Sequence, residues 1–130
     1  MHFADEFNPT PDEIRRWAAT EGAMYPSEDW DIIISTDPDL DELFFELASD
    51  PTCLKQRTFL HILYLIVGDA VRSSWNTRSR EQTDALIERA ARTTEPVVAR
   101  WAEQSRDLVA HPNRFDYDAW CGGGLAREDL

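Results

Sequence analysis

Apolar positions recur at helical spacing along most of this chain. Residues 11–20 set Ile14, Trp17 and Ala18 on one face, and residues 38–49 set Leu40, Leu43, Phe44 and Leu47 at i, i+3, i+4 and i+7. Residues 53–72 are apolar nearly all round, with Phe59, Leu60, Ile62, Leu63, Leu65, Ile66, Val67 and Val71. A helix of that kind belongs in the middle of a bundle, covered by its neighbours. Residues 80–92 point Thr83, Leu86, Ile87, Ala90 and Ala91 inward, and residues 95–110 do the same with Val98, Trp101, Ala102, Ser105, Leu108 and Val109. Residues 28–35 are ambiguous. Trp30, Ile32, Ile33 and Ile34 suit a strand, but Ser27 followed by Glu28 and Asp29 reads as a helix start. With no second strand to pair with, helix is the reading adopted.

The helix starts are marked by capping residues. Thr10-Pro11-Asp12-Glu13 and Ser79-Arg80-Glu81-Gln82 are capping boxes, in which side chains at the cap and three residues on satisfy each other's amides. Asp37-Pro38, Asp50-Pro51 and Thr94-Glu95-Pro96 offer a cap followed by proline at the first helical position. The pattern predicts an all-α, single-domain bundle of five to seven helices over residues 1–124. Gly122-Gly123-Gly124 should stop ordered structure and leave a flexible tail at 125–130. Asp50-Pro51 and Glu95-Pro96 lie 45 residues apart, each between two amphipathic segments. Helix pairs at that interval resemble HEAT-type repeats, which implies HEAT-like pairing, although two units are too few for a repeat array.

A chain of 130 residues with 42% hydrophobic content can bury a core without metal or disulfide. Cys53 and Cys121 have no ligand-type neighbours, residues 1–20 lack the apolar stretch of a signal peptide, and the longest apolar run, 62–67, is too short for a bilayer. These features point to a cytoplasmic protein with free thiols, although a Cys53–Cys121 disulfide stays open, and to no membrane partner. The charge is lopsided. Residues 1–50 hold 14 acids against Arg15 and Arg16 (2 − 14 = −12), while residues 51–130 hold 11 of each sign, so the whole net charge of −12 arises in the first 50 positions. That disfavours DNA binding through a basic patch and favours a basic protein partner.

Candidate chemistry is sparse. Asp37-Pro38-Asp39-Leu40-Asp41 suggests a calcium loop, but the sixth and twelfth positions are Glu42 and Ala48 where glycine and glutamate are needed. Acids at a helix start suit the helix dipole instead. His61 sits in the most apolar segment and reads as a hydrogen-bonded histidine at the core's edge; Asp69, eight residues on, is about 12 Å away along a helix. No phosphate loop, nucleophile motif or paired-histidine metal motif is present, so no cofactor or metal is expected.

Arg106-Asp107-Leu108-Val109-Ala110-His111 is the exception. An arginine, a polar residue, aliphatics and a histidine five positions after the arginine resemble the signature of HEPN-type ribonucleases. These are small all-α domains, often dimeric, that cleave RNA without metal. The resemblance implies that His111 acts as acid or base at the 2′-hydroxyl, Arg106 holds the phosphate and Asp107 orients the pair. It covers six residues, and the tyrosine frequent two positions after the histidine is Asn113 here. Pro112 also ends the helix at that point. Phe115-Asp116-Tyr117-Asp118-Ala119-Trp120 alternates aromatics with acids and reads as a segment packed back on the bundle.

The leading expectation is therefore an acidic protein-binding module, of the kind immunity proteins and antitoxins represent when they mask basic nucleases. Glu28, Asp29, Asp31, Asp37, Asp39, Asp41 and Glu42 form the expected binding surface. The alternative is a metal-independent ribonuclease built on Arg106, Asp107 and His111, with RNA as its substrate, and a homodimer is open under either reading.

Overall fold

The computed structural model describes residues 2–120. Among these residues every regular element is helical: α1 (Pro11–Ala19), α2 (Trp30–Ile34), α3 (Asp41–Ala48), α4 (Gln56–Arg72), α5 (Arg80–Ala91) and α6 (Pro96–Ala110), with short 3-10 turns at Pro38–Leu40, Pro112–Arg114 and Tyr117–Ala119. The all-α bundle expected from periodicity is present. Residues 28–35, ambiguous in sequence, contain α2. The glycine stop, the 125–130 tail and Cys121 lie outside the described residues.

Both capping boxes form. Glu13 N–H donates to Thr10 Oγ1 at 3.2 Å while Thr10 N–H donates to Glu13 Oε1 at 2.9 Å. Ser79 and Gln82 repeat the exchange at the start of α5. Glu13 reaches further, since its Oε2 accepts from Ala4 N–H at 2.8 Å and ties the N-terminal segment to α1. The backbone amides of Thr10 and Ala4 hold its carboxyl below the ordinary glutamate range. The cap-then-proline reading fails at Asp50-Pro51. Asp50 Oδ1 accepts from Thr52 N–H in a local turn, and the helix begins only at Gln56. The delay places Lys55 in the interior, with Nζ donating to the Thr20 carbonyl at 2.6 Å and lying 5.0 Å from the Trp17 ring centroid.

α4 is the central helix. Its residues from Thr58 to Gly68 are all buried. α3 packs on α4, α5 on α6, and α4 on α6, giving two helix hairpins joined through α4 and α6. The side chains expected to point inward do so: Ile14, Trp17, Leu43, Phe44, Ile62, Leu63, Ile87, Val98, Trp101 and Leu108 are among the buried residues. Trp101 Nε1–H donates to the Leu60 carbonyl at 3.0 Å, so an indole at the α4–α6 contact keeps its one donor satisfied. A second aromatic group packs at the neighbouring position of α4, with Trp17 against Trp30 at 4.9 Å and Phe59 at 6.1 Å.

Candidate functional site

The seven acids expected to form one binding surface divide into three groups. Asp31 does not belong to that surface: it is 1% exposed, because it lies on the core-facing side of α2. Asp41 and Glu42 are held by arginines of the second half of the chain. Arg78 forks onto both oxygens of Asp41 at 2.8 Å and donates to the Ser35 carbonyl, while Arg89 forks onto Glu42 at 2.7 and 2.9 Å. The Arg89 hydrogen bonds hold the Glu42 carboxyl below its ordinary range. These four charges, with Ile66, Ala85 and Leu86, line a shallow cleft of about 250 Å³ between α3, α4 and α5. Glu28, Asp29, Asp37 and Asp39 are left. Glu28, Asp29 and Asp39 are exposed and Asp37 half-buried, with Asp37 Oδ1 accepting from Asp39 N–H at the 3-10 turn. No basic side chain among the described residues pairs with any of the four.

The three residues of the ribonuclease-like motif are held by different partners. Arg106 is exposed and donates to Glu88 of α5 at 2.9 Å, and Asp107 accepts from Arg114 at 2.7 Å. His111 stands exposed just past the end of α6, its backbone (φ −136°, ψ 76°) already outside the helical region. Pro112 forces that departure, since it disfavours a helical residue before it.

The network that sequence reasoning missed lies inside. Asp31 Oδ2 accepts from His61 Nε2 at 2.8 Å and from Tyr117 Oη–H at 2.5 Å, and Asp31 Oδ1 accepts from Ile32 N–H at 2.9 Å. Burial acts to raise the Asp31 pKa, but the bonds from His61 and Tyr117, aided by the Ile32 amide, outweigh it and hold the carboxyl below its ordinary value. An ionised carboxylate only accepts, so Nε2 carries a proton, and Nδ1 is buried with no hydrogen-bond partner among the described residues. His61 is thus not at the core's edge, being 0% exposed. One signal was available: an acid inside Trp-Asp-Ile-Ile-Ile and a histidine inside an apolar helix each need a polar partner. Their separations of 30 and 86 residues hid which partner that is.

Tyr117 reaches Asp31 because residues 115–120 lie along one stripe of α4. Phe115 stacks on Tyr64 (5.4 Å between centroids, 11° between planes) and sits under the Arg72 guanidinium at 4.5 Å. Tyr117 meets His61 edge-on at 4.9 Å, and Arg57 lies 5.3 Å from the buried Trp120 ring. Asp116 N–H donates to Tyr64 Oη at 3.2 Å. The seat residues Arg57, His61, Tyr64, Gly68 and Arg72 recur every three or four positions, and the segment runs antiparallel to the helix. Gly68 is required here, since a Cβ at this position would lie 2.5 Å from Phe115 Cδ1.

Comparison of the chain with known protein families, with characterised proteins and with solved structures finds no match. Among the described residues no helix is long and apolar enough to cross a membrane, and no cluster of three or more His, Cys, Asp or Glu is placed to hold a metal ion.

Proposed function

We propose that this chain is a protein-binding module of the cytoplasm whose acidic face captures a basic partner, in the manner of immunity proteins and antitoxins that mask basic nucleases. What supports the reading is the set Glu28, Asp29, Asp37 and Asp39, which among the described residues carries no compensating base, in a chain of net charge −12. Asp31, Asp41 and Glu42 drop out of the interface: the first is buried, and the other two already neutralise Arg78 and Arg89. Uncompensated surface charge of one sign steers an oppositely charged partner and raises the association rate more than the final affinity. The test is a pull-down from the native host followed by binding kinetics at rising salt. Association that slows steeply between low and physiological ionic strength, and slows again when the four acids become amides, supports the reading. A partner whose association ignores both would reduce these acids to a solubility role. The ribonuclease alternative has no comparable support, because Arg106 and Asp107 are engaged by Glu88 and Arg114. A metal-free RNA cleavage assay comparing wild type with His111→Ala separates the two readings.

A further inference from the structure

The contact between residues 115–120 and α4 has the make-up of a complex between a helix and a docked peptide. One partner is a stripe of the helix, Arg57, His61, Tyr64, Gly68 and Arg72, and the other is a short segment with aromatics at 115, 117 and 120. Charge matches as well as shape, since Asp116 and Asp118 accompany the aromatics while the stripe carries a guanidinium at each end. Among the described residues, the covalent link between the segment and the bundle is the turn at 111–114. All four residues of that turn are exposed. Its fastenings are few: backbone bonds His111 N–H to Asp107 O, Arg114 N–H to His111 O and Phe115 N–H to Pro112 O, and the exposed Arg114–Asp107 pair. An exposed pair of that kind contributes little.

We propose that the α4 groove also accepts this segment from a second copy of the chain, so that two copies exchange residues 115–120 and form a symmetric dimer. The seat residues on α4 are not among the four acids of the proposed face, and the proposal does not rest on the reading given to them. Exchange preserves each seat contact: Phe115 on Tyr64 and Gly68, Tyr117 on Asp31 and His61, and Trp120 against Arg57 recur unchanged between copies. Only the turn at 111–114 must open, and exchange of an identical element across a short hinge is a low-cost route to a dimer. The short tether gives the segment an effective concentration on the order of millimolar at its own seat. The closed monomer therefore dominates in dilute solution, and exchange needs either a concentrated chain or a hinge too short to fold back.

Three measurements test this, each read by light scattering after gel filtration. Wild-type chain refolded from denaturant at about 1 mM, close to the effective concentration of the tether, should give a substantial fraction of dimer, and the same chain refolded at about 1 μM, roughly a thousandfold below it, should give monomer. Deleting Asn113 and Arg114 should shift the midpoint of dimer formation at least tenfold lower, because the segment no longer reaches its own groove. A chain with Phe115→Ala and Tyr117→Ala, which lacks a competent segment, should pair one-to-one with a Gly68→Leu chain, which lacks a competent seat, after the two are refolded together. Wild-type monomer at both concentrations, absence of that mixed dimer from two chains that each remain helical by circular dichroism, or a dimer that persists in the Phe115→Ala/Tyr117→Ala chain alone, would each overturn the proposal. If the deletion variant does not fold, the mixed pair still decides it.

Discussion

Asp31 carries two demands that a surface acid does not: it is cut off from water, and it is the acceptor for both His61 and Tyr117. Removing the buried carboxylate leaves the donors of His61 and Tyr117 without their acceptor, which is costlier than losing donor and acceptor together. Asp31→Ala should therefore destabilise the chain by about 3–5 kcal/mol in urea unfolding. Tyr117→Phe removes one donor and should cost about 1–3 kcal/mol. The pH dependence follows from the sign of the shift. The Asp31 carboxyl is depressed in the folded state, so its stabilisation is present above the unfolded aspartate pKa and is lost as pH falls through the lower folded value. The stability difference between wild type and Asp31→Asn should accordingly be largest near neutrality and shrink as pH is lowered below the ordinary aspartate range. A difference that stays constant from pH 7 to pH 3 would mean that the carboxylate charge contributes nothing. No such argument applies to Glu28 or Asp39, which are exposed, and the pattern of acids along the chain does not distinguish them from Asp31.

At the level of elements, α4 and the segment laid over it are the two parts to separate. The nearly uninterrupted apolar run that made residues 53–72 readable as a central helix also makes the helix intolerant of truncation. Leu63 is 1% exposed, and Leu63→Ala should cost about 2–5 kcal/mol by thermal or urea unfolding. Gly68 offers a sharper test, because two opposing effects act on the same substitution. In a helix interior, alanine is favoured over glycine by about 0.5–1 kcal/mol. Here the added Cβ meets the Phe115 ring. Gly68→Ala should therefore destabilise the wild type but stabilise the Phe115→Ala chain, a change of sign readable in a double-mutant cycle. Additive effects in the cycle would show that Phe115 does not rest on Gly68. The helix and the aromatic–acidic run were each legible in the sequence, and so was the idea that Phe115, Tyr117 and Trp120 fold back. The direction of the segment and its seat on positions 57, 61, 64, 68 and 72 were not, because hydrophobic periodicity says which face is covered and not by what.

For the molecule as a whole, the separation of charge along the chain is partly undone by folding. Arg78 and Arg89 of the neutral half cross to Asp41 and Glu42 of the acidic half, and Arg15 pairs with Glu46 within the acidic half. Converting Glu28, Asp29, Asp37 and Asp39 to their amides takes the net charge from −12 to −8, since four negative charges are removed. The side-chain oxygen left by Asp37→Asn still accepts at the 3-10 turn, so the melting temperature should barely move. The association rate with a basic partner should fall, with the largest loss at low salt, where screening beyond about 8–10 Å is weakest. Periodicity and capping chemistry by themselves determined the class of fold, the extent of most helices and which residues form the core, because these follow from local backbone preference and from the burial of apolar side chains on one face. The three-dimensional packing alone decided which acids stay free, that Asp50-Pro51 opens a turn and not a helix, and that Asp31, His61 and Tyr117 meet. Each of these depends on which groups, tens of residues apart, are close enough to satisfy one another once water is excluded.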